Sequence, residues 1–449
     1  MAPINVFARW RPLTETETAS NEVEIPRQSI SSPNSRLKIS LTHASSLTDK
    51  DKTWTSPAAF LNVFEPEADN AEVYKTIVAP SIATVLSGKS CSFFAYGHSG
   101  SGKTHTIIGY DYGDDSDNDK RLGICLIAAK ELFAALQPLN EGHPGNEFAI
   151  GFSLFELRRK MAYDLLNGKS ECHVREGPDG RTHIRGETET LEGGKVRVRP
   201  IVKRACWDYE MLVANLKEAL GHRAVGSSSV HDQSSRTHAV LEFEVINREL
   251  VAARDELIER QSELVPVGKR ATDISIEEQT KGNIRTADGG WIPNPAYRVN
   301  EERISAANKE KGEFEARVAI AEDKIAAVFA SARAPCLGGK MVFVDLAGAE
   351  YHQEKGVQLA SLPRQQTPQE KLEGRQINSD LLALKEVMRA WAENRPRIPF
   401  RSSTLTMVLR EHFVGADPAS SAVIVTVSPA EGQYAATLNS LKYASLVGV

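Results

Sequence analysis

The stretch "FFAYGHSGSGKTHTIIG", Phe93 to Gly109, carries the pattern Gly97-x-x-x-x-Gly102-Lys103-Thr104. This is the Walker A spacing, and each residue type has a reason to be there. Glycines let the backbone turn tightly, so that the N–H groups of Gly97, His98, Ser99, Gly100, Ser101 and Gly102 point inward at phosphate oxygens. Lys103 is placed to reach the β and γ phosphates, and the Thr104 hydroxyl suits Mg²⁺. A helix opening inside the loop offers its positive end to the same anion. The motif grips a phosphate but does not name the reaction.

A hydrolase also needs groups that detect the γ phosphate and orient a water. "HDQSSRTH" (231–238) supplies Ser234, Ser235 and Arg236 just before an alternating apolar run. "DLAGAE" (345–350) supplies Asp345, Gly348 and Glu350 just after another. An aspartate at a strand end suits Mg²⁺ through a water, and a glycine brings its backbone N–H close to a γ phosphate.

These loops need strands and helices to hold them. "INVFARWRPL" (4–13) alternates like a strand and breaks at Pro12, and residues 14–58 read as polar and turn-rich. "AEVYKTIVAPSIATVLSG" (71–88) and "GICLIAAKELFAALQ" (123–137) have helical spacing. "SCSFFAYG" (90–97), "EFAIGFSLFEL" (147–157), "THAVLEFEVI" (237–246) and "KMVFVDLAG" (340–348) read as strands. Between the last two lies an insert, 248–335. Leu250, Ala253, Leu257 and Leu264 share one helical face, and Ile304, Ala307, Lys311, Phe314, Val318, Ala321, Ile325, Val328 and Ala332 form a coiled-coil stripe. The expected product is an antiparallel helical hairpin projecting from the body.

The bulk numbers narrow the setting. The 449 residues are 41% apolar, ample for a buried core. A net charge of −5 argues against an overall nucleic-acid binder. Five scattered cysteines without a Cys-x-x-Cys pair fit a reduced, intracellular compartment. No signal peptide opens the chain, and no apolar run reaches the ~18 residues of a membrane span, so the expectation is a cytosolic protein without a membrane partner.

"FAYGHSGSGKTHT", "SSRTH" and "DLAGAE", in this order, resemble the phosphate loop and two switch loops of the kinesin motor domain. "RWRP" (9–12), "LEGRQINSDLLALKEVMRAW" (372–391), "IPFRSSTLTMVLREHFVG" (398–415) and "TLNSLKYA" (437–444) resemble four further family signatures, the second being its microtubule-facing helix. The likeness runs through nearly the whole chain apart from inserts. It is greatest to the internal-motor kinesins that depolymerise microtubules, although residues 30–58 lack that class's usual Lys-Val-Asp.

The resemblance implies an α/β, three-layer P-loop NTPase fold: a central mixed, mostly parallel sheet flanked by helices, spanning 1–449 with the hairpin inserted. It implies ATP and Mg²⁺ as ligands, microtubules or tubulin as partner, and a cytoplasmic, microtubule-associated location. By resemblance, Arg9, Pro12 and His105 flank the adenine. Thr104, Ser235 and Asp345 hold Mg²⁺, the last through a water. Ser234 places the attacking water, Gly348 senses the γ phosphate, and Arg236 pairs with Glu350 across the two loops. The track side is 371–415, with Lys371, Arg375, Asn378, Lys385, Arg389, Arg397 and Arg401. That stretch holds eight basic against five acidic side chains, which favours an acidic partner surface.

Several positions depart from the family pattern. His231 stands where the first switch usually has Asn, and Thr237 and Ala349 replace serines. The family's I-N-K-S reads Ile377-Asn378-Ser379-Asp380, and its S-K-L-T reads Ser403-Thr404-Leu405-Thr406, so two track-side lysines are absent and an acid is present. The loop after Glu350 is longer than usual. No stalk heptads follow the last signature within this chain, so the expectation is no hand-over-hand walking. Two readings follow. One is an ATP-hydrolysing, microtubule-binding motor or depolymerase. The other is a catalytically weak nucleotide-binding module that anchors a protein partner through the hairpin. A small-molecule kinase would need an acceptor pocket with its own base, and the switch pair argues against it.

Overall fold

The computed structural model describes residues 4–32, 35–43, 52–109, 122–177, 180–192, 195–224, 236–285, 289–349, 368–393, 395–414 and 421–448. A twelve-stranded mixed sheet forms the middle layer. Its half that carries the phosphate loop is parallel: Lys340–Asp345, Ser90–Tyr96, Ala422–Val427, Asn5–Trp10 and Asn62–Phe64 lie side by side in that order. Beyond Lys340–Asp345 the sheet turns antiparallel, through His238–Asn247 and Phe148–Arg158 to the outer strands.

The central strands are buried on both faces, which is why they read as continuous apolar runs. Successive side chains point to opposite faces, so Phe93 and Phe94 serve different cores. Phe93 stacks on Phe343, and Phe94 on Phe413. The first core is covered by the helices Asn70–Ile77, Ile124–Asn140 and Tyr209–Ala224, the second by Pro368–Ala392, Thr404–Val414 and Tyr434–Ser445.

Two local expectations change. The helix read over 71–88 is broken into Asn70–Ile77, a 3₁₀ turn Ala79–Ser81 and Ile82–Leu86. Pro80 is the cause, because it has no N–H for the helical ladder. The turn-rich segment 14–58 contains a small antiparallel sheet, Arg27–Ser31, Leu37–His43 and Lys52–Thr55. Ile39 and Leu41 of its middle strand are buried, an alternation obscured by the surrounding serines and threonines.

The insert is a hairpin of two helices, Arg248–Gly282 and Glu301–Ala330, closed by a two-stranded ribbon, Asn283–Arg285 with Trp291–Pro293. The thirty-residue second helix is about 45 Å long. Its stripe faces the first helix: Ala307 and Ala321 are buried, and the other stripe residues are half-buried. The first helix does not stop near residue 265 as its pattern suggests. It runs through Pro266, with Val267 and Ala271 buried on the far side of the proline.

The base of the hairpin is docked rather than free. Arg254 Nη2 donates to Glu244 Oε1 at 2.7 Å, and Lys203 reaches both Glu244 and Glu242. Lys195 and Arg197, on the outer strand side, pair with Glu259 at 2.7 and 3.0 Å. Burial alone would raise the Glu242 and Glu244 carboxyls, but Lys203 and its neighbours outweigh it and hold both below the usual range.

The helix Pro368–Ala392 is divided by periodicity. Ile377, Leu381, Leu384, Met388 and Trp391 form its buried stripe. On the opposite side Lys371, Arg375, Asn378, Leu382 and Arg389 are exposed, and Lys385 is half-buried with its Nζ over the Tyr443 ring. Asp380, the acid gained in the signature, is only 3% exposed and does not lie on the charged stripe. Burial pushes its carboxyl up to about 6, against hydrogen bonds from Gln376 and Ser403.

Two stability predictions follow from these buried groups. The Asp380 carboxyl binds its proton more tightly folded than unfolded, so stability falls as pH rises from about 4 through about 6. Asp380→Asn should therefore raise stability at neutral pH by about 1–3 kcal/mol and leave it unchanged near pH 4, read by urea unfolding. Arg254→Ala should cost about 3 kcal/mol, because it strips one cation from the buried Glu244.

Candidate functional site

The site sits where two neighbouring parallel strands end. Ala95 and Asp345 are in register, so the loop after each leaves the sheet at the same level. The phosphate loop turns at Gly100 and Gly102, with φ of +74° and +99°, a region where a side chain is strained. The helix Lys103–Ile107 then begins where the sequence places it. Gly97 has a different reason: a Cβ there would lie 2.2 Å from the Thr426 carbonyl. Ser101 Oγ is 2.7 Å from Thr426 Oγ1, which fastens the loop to the next strand.

Lys103 is buried and donates to the loop's own carbonyls, Gly97 O at 3.2 Å and His98 O at 2.8 Å. Burial lowers its ammonium to about 8, although Asp345 pulls the other way. Thr104 Oγ1 donates to Asp345 Oδ2 at 2.7 Å. Asp345 is 1% exposed, and its Oδ1 has no hydrogen-bond partner among the described residues. A carboxyl oxygen left so in a buried corner is costly. With a threonine hydroxyl beside it, the donor set is hard and oxygen-based, which fits Mg²⁺.

A second cation faces the same aspartate. Arg223, 3% exposed, places Nη1 3.4 Å from Asp345 Oδ2 and donates through Nε to Glu156 at 2.8 Å. Thr237 Oγ1 donates to the same Glu156 oxygen at 3.0 Å. His238 accepts the Ala347 N–H on Nδ1 at 3.0 Å, so its proton is on Nε2. Burial, with Lys103 nearby, depresses its pKa to about 3 and keeps the ring neutral. The strand end after the first switch loop is thereby tied to the "DLAG" turn. Gly348 of that turn packs on Ser99, which would lie 2.7 Å from a Cβ added there.

The three residues expected to flank the adenine are placed differently. Pro12 and His105 are exposed beside the loop. Arg9 is buried beneath it, donating to Asn70 Oδ1 at 2.5 Å, Thr106 Oγ1 at 2.9 Å and the Ala68 carbonyl at 3.1 Å. Its guanidinium therefore braces the loop helix from below. Arg11, two residues on, is the arginine at the rim: its Nε donates to the Gly100 carbonyl at 2.8 Å, and its head pairs with Glu17. His98 is also structural, with Nδ1 donating to the Ser99 carbonyl at 2.8 Å.

Of the expected switch residues, Ser234, Ser235 and Glu350 lie outside the described residues, as does His231. Arg236 is described, and its Nη1 stands 3.9 Å from Glu373 Oε2 on the helix Pro368–Ala392. On the expected track side, Arg397 is exposed, and Arg401 is exposed and paired with Glu176 at 2.6 Å. Sequence reasoning passed over Arg11, Glu156, Arg223, His238 and Glu373. All but Arg223 stand inside quoted stretches, but nothing local marks the partners that give them a role.

No described helix is long and apolar enough to cross a membrane. A family model for the kinesin motor domain matches residues 9–268 and 318–448. The part left unmatched between them is the distal hairpin. With the two loops joined at Thr104 and Asp345, and the match covering most of the sequence, the chain belongs to the kinesin motor-domain family, nucleotide-binding and microtubule-based motors.

Proposed function

We propose that this domain hydrolyses ATP with Mg²⁺ and that hydrolysis is stimulated by microtubules or tubulin. The observation that carries this is the Thr104–Asp345 contact, beside an Asp345 oxygen that has no partner among the described residues. Thr104 and Ser235 would supply hydroxyls to the ion, and Asp345 would hold it through a water. Bound Mg²⁺ would neutralise phosphate charge and orient the terminal group. The rest is done by the chain's own groups. Loop N–H donors and Lys103 fix the phosphates. Gly348 presents a backbone N–H, Ser234 places the water, and the pair Arg236–Glu350 completes the site when both loops close. Pro12, His105 and Arg11 form the rim for the base.

The partner surface in this reading is the stripe Lys371, Arg375, Asn378, Lys385 and Arg389, continued by Arg397 and Arg401. Asp380 is buried, so it stands behind this exposed stripe rather than on it. Motile and depolymerising activity both fit the arrangement. A second reading, a weakly hydrolysing module that anchors a protein partner, draws on the hairpin. Its unmatched part carries Ile284, Trp291 and Ile292, all at least 42% exposed.

Steady-state ATP turnover with and without microtubules separates the two. The first reading expects turnover to rise severalfold with microtubules, and Glu350→Ala and Lys103→Ala each to lower it by about a hundredfold or more. Turnover that stays flat across tubulin concentrations, or a Glu350→Ala variant as fast as wild type, contradicts it and favours the second.

A further inference from the structure

We propose that Glu373 is a positioning residue that holds the switch arginine Arg236 against the track-facing helix, and that Arg158 and Arg159 set how firmly it does so. The proposal rests on the reading above, in which Arg236 must reach Glu350 for hydrolysis.

Glu373 lies near the start of the helix Pro368–Ala392, with its side chain 7% exposed. Three guanidinium groups converge on it. Arg158 Nη2 is 2.5 Å from Oε1, Arg159 Nη2 is 3.2 Å from the same oxygen, and Arg236 Nη1 is 3.9 Å from Oε2. A carboxylate this buried requires cationic partners. Three cations around one carboxylate also repel one another, so each weakens the hold on the others.

The two strand arginines are brought there by backbone geometry. Arg158 pairs with Met161 across a two-residue turn. Consecutive strand residues point to opposite faces, so an extended chain would send Arg158 and Arg159 apart. Arg159 instead has φ of +57°, a left-handed conformation that disfavours a long side chain. That turn lets two successive arginines reach one carboxylate. A positive φ at the first loop position is what a two-residue hairpin turn requires.

Arg236 makes the longest of the three contacts and is the residue of the "SSRTH" motif nearest the two hydroxyls. It directly precedes Thr237 and His238, which are fixed to Glu156 and to the "DLAG" turn. Glu373 thus offers Arg236 a place on the track helix, in competition with Glu350. Removing the Glu373 charge leaves Arg236 repelled by Arg158 and Arg159 and removes the competitor of Glu350. Removing Arg158 and Arg159 leaves Glu373 to hold Arg236 alone.

The test is ATP turnover with and without microtubules on two variants. Glu373→Gln should raise microtubule-free turnover by about fivefold or more and shrink the stimulation by microtubules. Arg158→Gln/Arg159→Gln, which changes half-exposed side chains, should lower microtubule-free turnover by a similar factor. A purely structural role would depress both variants. Changes in the same direction, or none, overturn the proposal. If wild type shows no turnover at all, the functional reading has failed and amide exchange decides the contact itself. Arg236→Gln should speed exchange over residues 371–381 by about fivefold or more, and unchanged exchange overturns the proposal.

Discussion

The hydrogen bond from Thr104 to Asp345, at 2.7 Å, is the contact on which the rest of the structure depends. It exists because two parallel strands end in register and each releases a loop at its tip. A shift of one residue in either strand would turn one of the two side chains to the other face of the sheet. The buried pair Phe93 and Phe343 packs across these two strands, and Phe94 on the other face packs on Phe413 of the covering helix. The phosphate loop is then held on its free edges by Thr426, Arg9 and Arg11. The chain's own contacts thus fix the loop, and fixed backbone donors are what makes such a site effective.

From that contact the architecture leads outward in one direction. Asp345 faces Arg223, Arg223 faces Glu156, and Glu156 accepts from Thr237 at the end of the first switch loop. His238 joins the same strand end to the "DLAG" turn. One residue earlier, Arg236 meets Glu373 on the helix whose other side carries the basic stripe. Every link is a charged or hydrogen-bonded group in a poorly solvated place, where a small change in charge has a large effect. A chain of contacts therefore runs from the loop to the helix that carries the basic stripe. The hairpin stands outside this route. Its base is clamped to the antiparallel half of the sheet by Arg254 and Glu244, and its outer part has no counterpart in the family model.

Much of this was legible in the sequence, for identifiable reasons. Strands buried on both faces announce themselves as apolar runs, and the glycine pattern encodes the loop directly. The coiled-coil stripe from Ile304 to Ala332 faces its partner helix as its spacing requires. What could not be read is what depends on distant partners. Nothing local distinguishes Arg9, a brace under the loop, from Arg11 at its rim. Asp380 looked like a charge on the track face, but the period of its helix turns it inward. Pro266 looked like a helix end, yet packing along the hairpin carries the helix past it. The short strand Leu37–His43 has two buried residues among polar neighbours, too few to stand out.

If microtubules stimulate turnover at the loop as proposed, linkage requires that nucleotide state in turn alter the grip of the basic stripe. Cosedimentation of the domain with microtubules, in a non-hydrolysable ATP analogue and then in ADP at fixed salt, tests it most directly. Affinities that differ by about tenfold or more between the two nucleotides are what the account predicts. Equal affinities in both would contradict it.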